Sequence, residues 1–89
     1  MKSTRYKILK KKFPNYLILV KYKNHHITFN IDKIILNFIN SKTNDLYAFL
    51  DNNKINYIIL NTDNTITIKN YEINNYYKYY YISILNHLL

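Results

Sequence analysis

The chain contains no glycine, and this absence limits how its backbone can turn. It has 89 residues, one proline and no glycine. Glycine is the usual residue at tight turns and helix C-termini, where the backbone takes positive φ. Asparagine is the best remaining residue for such positions, because it tolerates the left-handed region better than most L-residues. We therefore expect asparagine at the turns, and a glycine-rich phosphate-binding loop is excluded.

Length and composition indicate one small globular domain. A chain of 89 residues forms a single domain, which buries only roughly 60–65% of its unfolded surface. The apolar content is typical of folded proteins. Without cysteine the chain has no disulfide, no thiolate zinc site and no thiol nucleophile. Asparagine, isoleucine, lysine and tyrosine have AT-rich codons, so a biased genome accounts for part of their abundance.

Hydrophobic spacing predicts an α+β fold. Residues 1–14 are expected to form a basic N-terminal arm that ends at Pro14, ahead of a single domain at 15–89. Apolar alternation and β-branched runs predict four strands paired as two hairpins, at 16–22 with 27–31 and at 55–61 with 65–69. Helical spacing predicts three helices, at 32–39, at 45–53 and from residue 74 or 75 onwards. The predicted architecture is a small antiparallel sheet with helices on one face, in the order β-β-α-α-β-β-α.

The last predicted helix is rich in tyrosine. Five of the six residues at 76–81 are tyrosines. At 100° per residue, one apolar stripe comprises Tyr77, Tyr81, Ile84, Leu85 and Leu88, with Tyr80 at its edge. We expect this stripe to pack against the sheet, so Tyr76 and Tyr79 remain available for other contacts, such as stacking on unpaired bases.

Charge is the sharpest functional signal. Residues 1–31 hold eight basic residues and no acidic one, whereas the remainder holds five of each, so the net charge of +8 belongs to the first third. Basic N-terminal segments of this kind bind polyanions, although solvation alone is the alternative. Ammonium groups neutralise phosphates without reading sequence. The predicted RNA-binding residues are Lys2, Arg5, Lys7, Lys10, Lys11 and Lys12, with Lys69 and Lys78 from the last hairpin and helix.

Catalytic and metal sites are not indicated. Adjacent His25 and His26 would point to opposite sides of a strand, which makes them a poor metal pair, and the few acidic residues are scattered. We therefore expect no enzyme activity, no cofactor, no metal and no small-molecule substrate. The apolar run at 17–20 is too short for a signal-peptide core, and no run approaches the roughly 20 residues that span a bilayer. No membrane partner is expected.

Four fragments resemble the eukaryotic large-subunit ribosomal protein family twenty-two. FNID at 29–32 is similar to its Phe-Thr-Leu-Asp strand, and LYAFLDNNKIN at 46–56 to its Phe-x-x-Phe-Leu helix and the segment that follows. NTITIK at 64–69 is similar to the end of its hairpin, and YYKYY at 76–80 to its long helix. The chain lacks the family's glycine-rich loop, its last strand and most basic residues of the long helix, of which only Lys78 is kept. We expect the strand at 16–22 to take the place of the missing strand.

The resemblance implies a structural constituent of the large ribosomal subunit. Its partners would be rRNA and neighbouring ribosomal proteins, in the cytoplasmic or the mitochondrial ribosome. Two alternatives remain open. One is a small viral or parasite factor that binds an acidic protein through its tyrosines. The other is a small ribonuclease that uses His25 or His26 with nearby lysines, which requires two proton-transfer groups around one phosphate.

Overall fold

A four-stranded sheet with four helices makes up the fold. The computed structural model describes residues 2–89 and, within them, the side chains of residues 3–89. The elements are α1 (Lys2–Lys12), β1 (Leu17–Tyr22), β2 (His25–Ile27), α2 (Asn30–Lys42), α3 (Leu46–Asn52), β3 (Tyr57–Leu60), β4 (Ile66–Lys69) and α4 (Tyr76–Leu88). The α+β class is confirmed, and from β1 onwards the element order is the predicted one. In the described part of the chain, no helix is long and apolar enough to cross a membrane.

The sheet is mixed and has the strand order β2-β1-β3-β4. Both predicted hairpins, β1–β2 and β3–β4, are antiparallel. The expectation of a wholly antiparallel sheet is wrong, because β1 and β3 pair in parallel, from Leu17 opposite Tyr57 to Val20 opposite Leu60. The parallel pair arises because α2 and α3 carry the chain from β2 back to the end of the sheet where β1 begins.

One face of the sheet packs against α2, α3 and α4. Side chains alternate between the two faces along each strand. On this face the core contains Leu17 and Leu19 from β1, Tyr57 and Ile59 from β3, Ile35, Leu36 and Ile39 from α2, and Leu50, Ile55 and Tyr76. The residues of α3 that were predicted to point inwards do so, with Leu50 fully buried and Leu46 and Phe49 partly buried.

The other face is covered by α1. Residues 1–14 were expected to form an arm outside the domain and the helices to lie on one face, but α1, within that segment, packs on the second face. Tyr6 and Leu9 of α1 are buried there against Ile18 and Ile58. The sequence of α1 contains few apolar residues and many lysines, so hydrophobic spacing did not indicate a helix there.

The segment after β2 is helical earlier than predicted. β2 ends at Ile27, and Phe29 is the N-cap of α2, which makes no side-chain cap hydrogen bond. Asp32 does not cap α2 as predicted but lies within its first turn and is buried. The fragment FNID therefore opens a helix, whereas the matching family fragment is a strand.

Turns without glycine use lysine as well as asparagine. Backbone φ is positive at Lys23, Asn30, Lys54 and Asn64. Asn64 lies in the β3–β4 turn, as expected for asparagine. At the end of α3, however, Asn53 has φ of −99° and the left-handed position falls on Lys54.

The rotation of α4 about its axis differs from the prediction. Tyr76 and Ser83 are buried, and Tyr79 and Tyr80 are half-buried against the core. The predicted inner stripe points outwards instead, and Tyr77, Tyr81, Leu85 and Leu88 are 50–75% exposed. The helix is thus turned by about one residue, or roughly 100°, from the expected orientation. On the buried side of α4, the Tyr76 hydroxyl donates to Asp32 Oδ1 at 2.8 Å.

Candidate nucleic-acid interface

A buried carboxylate attaches α1 to the rest of the domain. The side chain of Asp32 is fully buried. Its oxygens accept four hydrogen bonds, from Tyr6 Oη (3.0 Å), Lys10 Nζ (3.0 Å), Tyr76 Oη (2.8 Å) and the backbone N–H of Ile18 (3.2 Å). These donors come from α1, β1 and α4, while Asp32 belongs to α2. Four elements are therefore joined at one carboxylate. Its hydrogen bonds and ion pair supply the polar partners that a buried charge requires.

Lys10 is the counter-ion of this carboxylate and is not available to RNA. Its ammonium donates to Asp32 Oδ1, to the carbonyl oxygen of Tyr16 (2.8 Å) and to Tyr76 Oη (2.8 Å). An ammonium has three donors, so all are used. Burial lowers the pKa of Lys10, and the charge of Asp32 partly opposes that shift. The predicted phosphate contact at Lys10 is therefore corrected to a structural ion pair.

The two tyrosine hydroxyls of this network remain protonated donors. Burial raises the pKa of Tyr76 and of Tyr6 far above the usual range, and the negative charge of Asp32 adds to both shifts. Tyr76, which was expected to be free for base stacking, is instead 1% exposed. Tyr79 is also engaged, because its hydroxyl donates to Asn53 Oδ1 at 2.6 Å.

The outer side of α1 exposes three predicted lysines. Lys7, Lys11 and Lys12 are exposed, and Lys7 and Lys11 stand one helical turn apart. Lys11 and Lys12 also lie in the last turn, where cations interact favourably with the helix dipole. That contribution gives them a structural role beside any binding role. We call the three residues the α1 lysine surface.

Arg5 lies at a groove beside this surface. Its guanidinium donates from Nη1 to Asn64 Oδ1 (2.6 Å) and from Nη2 to the Asn64 carbonyl oxygen (3.4 Å). The groove, of about 350 Å³, lies where β1 and β3 end and is lined by Arg5, Lys21 and Asn64 among others. Arg5 is thus tied to the β3–β4 turn. Lys21 joins it at the groove, although sequence reasoning counted Lys21 only toward the total charge.

The other predicted RNA-binding residues lie apart from α1. Lys69 Nζ of β4 lies 5.5 Å from the ring centroid of Tyr71, and Lys78 Nζ of α4 lies 5.7 Å from that of Tyr79. Both lysines are exposed, but β4 is an edge strand and α4 lies on the opposite face of the sheet from α1. The side chain of Lys2 lies outside the described residues.

Three further aspartates accept hydrogen bonds from groups other than lysine. Asp45 caps α3 by accepting from the Ala48 N–H (3.1 Å), as predicted for that helix start. Asp51 accepts from the hydroxyls of Tyr57 and Tyr71, and Asp63 accepts from Thr65 within its turn. Within residues 3–89, Lys10–Asp32 is the one ion pair. The exposed lysines are therefore not neutralised by neighbouring acids.

The histidines proposed for the ribonuclease alternative lie on β2. His26 Nε2 and Tyr47 Oη share a hydrogen bond of 2.5 Å, and their rings meet edge to face. Burial lowers the pKa of His26, and the charges of Lys21 and His25 lower it further. The ring of His26 is thus held between β2 and α3. Among the described residues, no three His, Cys, Asp or Glu side chains come together as metal ligands would.

Comparison with known proteins returned no relative. No protein-family model, no curated protein and no solved structure matches the chain.

Proposed function

We propose that the protein is an RNA-binding module that holds phosphates through the α1 lysine surface. The observation that carries this proposal is that Lys7, Lys11 and Lys12 stand together on one helix without carboxylate partners among the described residues. Phosphate groups of RNA would supply the missing anions, and release of their counterions would drive binding.

The attachment of α1 supports this role. A flexible arm would lose conformational freedom when it binds, whereas α1 is already fixed through Tyr6, Leu9 and the Lys10–Asp32 pair. The backbone positions of the three exposed lysines are therefore set before RNA arrives. Arg5 and Lys21 at the groove extend the positive surface beyond the end of this row. Because lysine contacts to phosphate carry no base information, we expect little sequence preference.

The proposed setting is the large ribosomal subunit, with rRNA and neighbouring ribosomal proteins as partners. This part of the proposal rests on the resemblance to family twenty-two. Three of the four similar fragments contain an element of the expected type, namely α3, β4 and α4, whereas FNID does not. The setting would be the cytoplasmic or the mitochondrial ribosome, and no catalysis is proposed.

Two measurements test the proposal. Fluorescence anisotropy with a labelled RNA hairpin, across stepped salt, should show the logarithm of affinity falling linearly with that of salt, with a slope steeper than about −2. Co-sedimentation with ribosomes from the protein's own cells should place it with the large subunit at low salt. Failure to bind RNA at low salt would refute RNA binding, whereas RNA binding without co-sedimentation would refute only the ribosomal setting.

A further inference from the structure

The outward face of α4 carries a row of large apolar side chains, which we call the α4 seam. It consists of Tyr77, Tyr81, Ile84, Leu85 and Leu88. Four of these side chains are at least half exposed, and Ile84 is half-buried. Small monomeric proteins seldom expose a contiguous apolar patch of this kind unless another molecule covers it.

The spacing of the seam is that of a helix–helix contact. Tyr77, Tyr81, Ile84 and Leu88 follow one another at intervals of four, three and four residues, which is the a/d spacing of a heptad pattern. Leu85 flanks this row. The 13 residues of α4 span about 20 Å, so the seam extends along the whole helix.

The seam is complementary to a second copy of itself. In an antiparallel pair related by a two-fold axis, Tyr77 of one copy meets Leu88 of the other, and Tyr81 meets Ile84 and Leu85. Each aromatic ring then faces an aliphatic side chain rather than another ring. A two-fold contact uses the same patch on both copies, and this patch meets that condition.

The tyrosines of the seam are held in place before any contact forms. The ring of Tyr77 lies 5.1 Å from that of buried Tyr76, and the ring of Tyr81 lies 5.1 Å from that of Tyr80, both edge to face. Tyr77 also contacts Tyr80 at 6.1 Å. Association would therefore cost little side-chain entropy at these positions.

Charge is sparse along α4, so the seam itself offers little attraction to an acidic partner. α4 contains no Asp or Glu, and its basic side chains are Lys78 and His87. The lysines of α1 lie on the opposite face of the sheet, so two seams can meet without bringing the α1 lysine surfaces together. Within α4, an acidic helix would find Lys78 as the one lysine. The seam is therefore suited to an uncharged, self-complementary contact.

The area of the seam matches a weak dimer. A large side chain that is half to three-quarters exposed offers on the order of 100 Å², so the seam offers on the order of 500 Å² per copy. Two copies would then bury about 1,000 Å², which is the lower limit for a specific interface. We propose that the protein forms a two-fold homodimer through antiparallel contact of the α4 seams, with a dissociation constant in the micromolar range.

Sedimentation equilibrium of the full chain without RNA tests this dimer. The wild type should change from monomer to dimer between about 1 µM and 1 mM. Leu85→Glu places a carboxylate from each copy in the seam, so its dissociation constant should rise at least about tenfold. The matched control is Ile73→Glu, which likewise replaces an exposed aliphatic side chain with a carboxylate, at a residue that is 70% exposed and lies outside α4. The control should dimerise like the wild type, and circular dichroism should show all three folded.

Three results would overturn the dimer. The first is a wild type that stays monomeric throughout that range. The second is a dimer that Leu85→Glu leaves unchanged, which would place the contact elsewhere. The third is a monomer whose RNA affinity falls in the Tyr77→Ala/Tyr81→Ala variant, which would assign the seam to base stacking. The sedimentation measurement contains no RNA, so its outcome is independent of the proposed RNA-binding function.

Discussion

Lys10 and Asp32 illustrate how one ion pair fixes a helix to a domain at the residue scale. Removing two charges from water costs a desolvation free energy that offsets much of their mutual attraction. Such a pair therefore stabilises the fold only when its remaining hydrogen bonds are made. Here Lys10 makes two further bonds and Asp32 accepts three others. Loss of one partner leaves the other buried and uncompensated.

Replacing Lys10 should therefore destabilise the fold more than replacing its neighbour. We expect Lys10→Met to lower the free energy of unfolding by about 2–4 kcal/mol, because Asp32 would remain buried without a counter-ion. Lys11→Met, the matched control on the exposed side of α1, should lower it by less than about 1 kcal/mol, because only an exposed charge near the helix C-terminus is lost. Urea unfolding followed by circular dichroism measures both. Equal effects of the two variants would contradict the structural role of Lys10.

Tyr57 provides a pH test at the same scale. Burial and the nearby charge of Asp51 raise the pKa of Tyr57 to about 12, above its unfolded value near 10. The resulting stability is fully present below pH 10 and is lost as pH rises toward 12, by up to about 1.4 kcal/mol per pH unit. The raised pKa values of Tyr6 and Tyr76 act in the same direction, whereas the lowered pKa of Lys10 acts in the opposite one.

The Tyr57→Phe variant isolates one of these groups. Its unfolding free energy should fall less steeply than that of the wild type between about pH 10 and pH 12, because one raised pKa is removed. Urea unfolding at several pH values in this range gives both slopes. Parallel slopes would show that the Tyr57 hydroxyl does not titrate differently in the folded and unfolded chain.

The sequence alone cannot distinguish Lys10 from Lys11 and Lys12. All three are adjacent lysines, and only the fold shows that Lys10 reaches a carboxylate 22 residues away. Asp32 likewise looks like a helix cap, because the donors that bury it come from distant elements. A run of charged residues predicts exposure in general, and Lys7, Lys11 and Lys12 are exposed in the structure, but the pattern does not identify the buried exception.

At the scale of elements, the β1–β2 turn shows the effect of lacking glycine. The turn has two residues, and its first, Lys23, has a φ of 56°. Glycine is preferred where a two-residue hairpin turn needs positive φ, because a side chain crowds the backbone there.

A glycine at this turn should stabilise the protein. We expect Lys23→Gly to raise the free energy of unfolding by about 0.5–1 kcal/mol through relief of that crowding. Lys23→Ala removes the same charge but keeps Cβ, so it serves as the control and should bring no such gain. Thermal unfolding compares the two variants. A Lys23→Ala variant as stable as Lys23→Gly would attribute the gain to charge rather than to backbone conformation.

The elements were predicted correctly where the residue pattern was compatible with only one secondary structure and one inner face. The β-branched alternation around residues 62–64 predicts the β3–β4 hairpin, and the structure has it. In α4 both faces carry tyrosines, so periodicity alone does not decide which face is inner. In the structure the face with Tyr76 is the inner one, and its hydroxyl donates to Asp32, which lies 44 residues earlier in the sequence. The burial of α1 was missed because its inner side holds only Tyr6 and Leu9 among many cations.

At the scale of the whole molecule, charge and apolar surface lie on opposite sides. The α1 lysine surface covers one face of the sheet, and the α4 seam lies beyond the other. In the proposed dimer the two lysine surfaces would face away from the two-fold contact. A long RNA that contacted both lysine surfaces would bind more tightly than an RNA that contacted one, because the first contact raises the effective concentration for the second.

The most direct test of the central proposal compares two charge-matched triple variants for the salt dependence of RNA affinity. One replaces Lys7, Lys11 and Lys12 with alanine. The other replaces three lysines that are also exposed but lie outside α1, namely Lys33 and Lys42 of α2 and Lys54 of the turn after α3. Both lose three charges, so any general effect of net charge is the same. If the α1 lysine surface holds phosphates, the first variant should reduce the salt slope by about 2 for single-stranded RNA, and the second should leave it unchanged. Equal slopes in the two variants would contradict the assignment of RNA binding to α1.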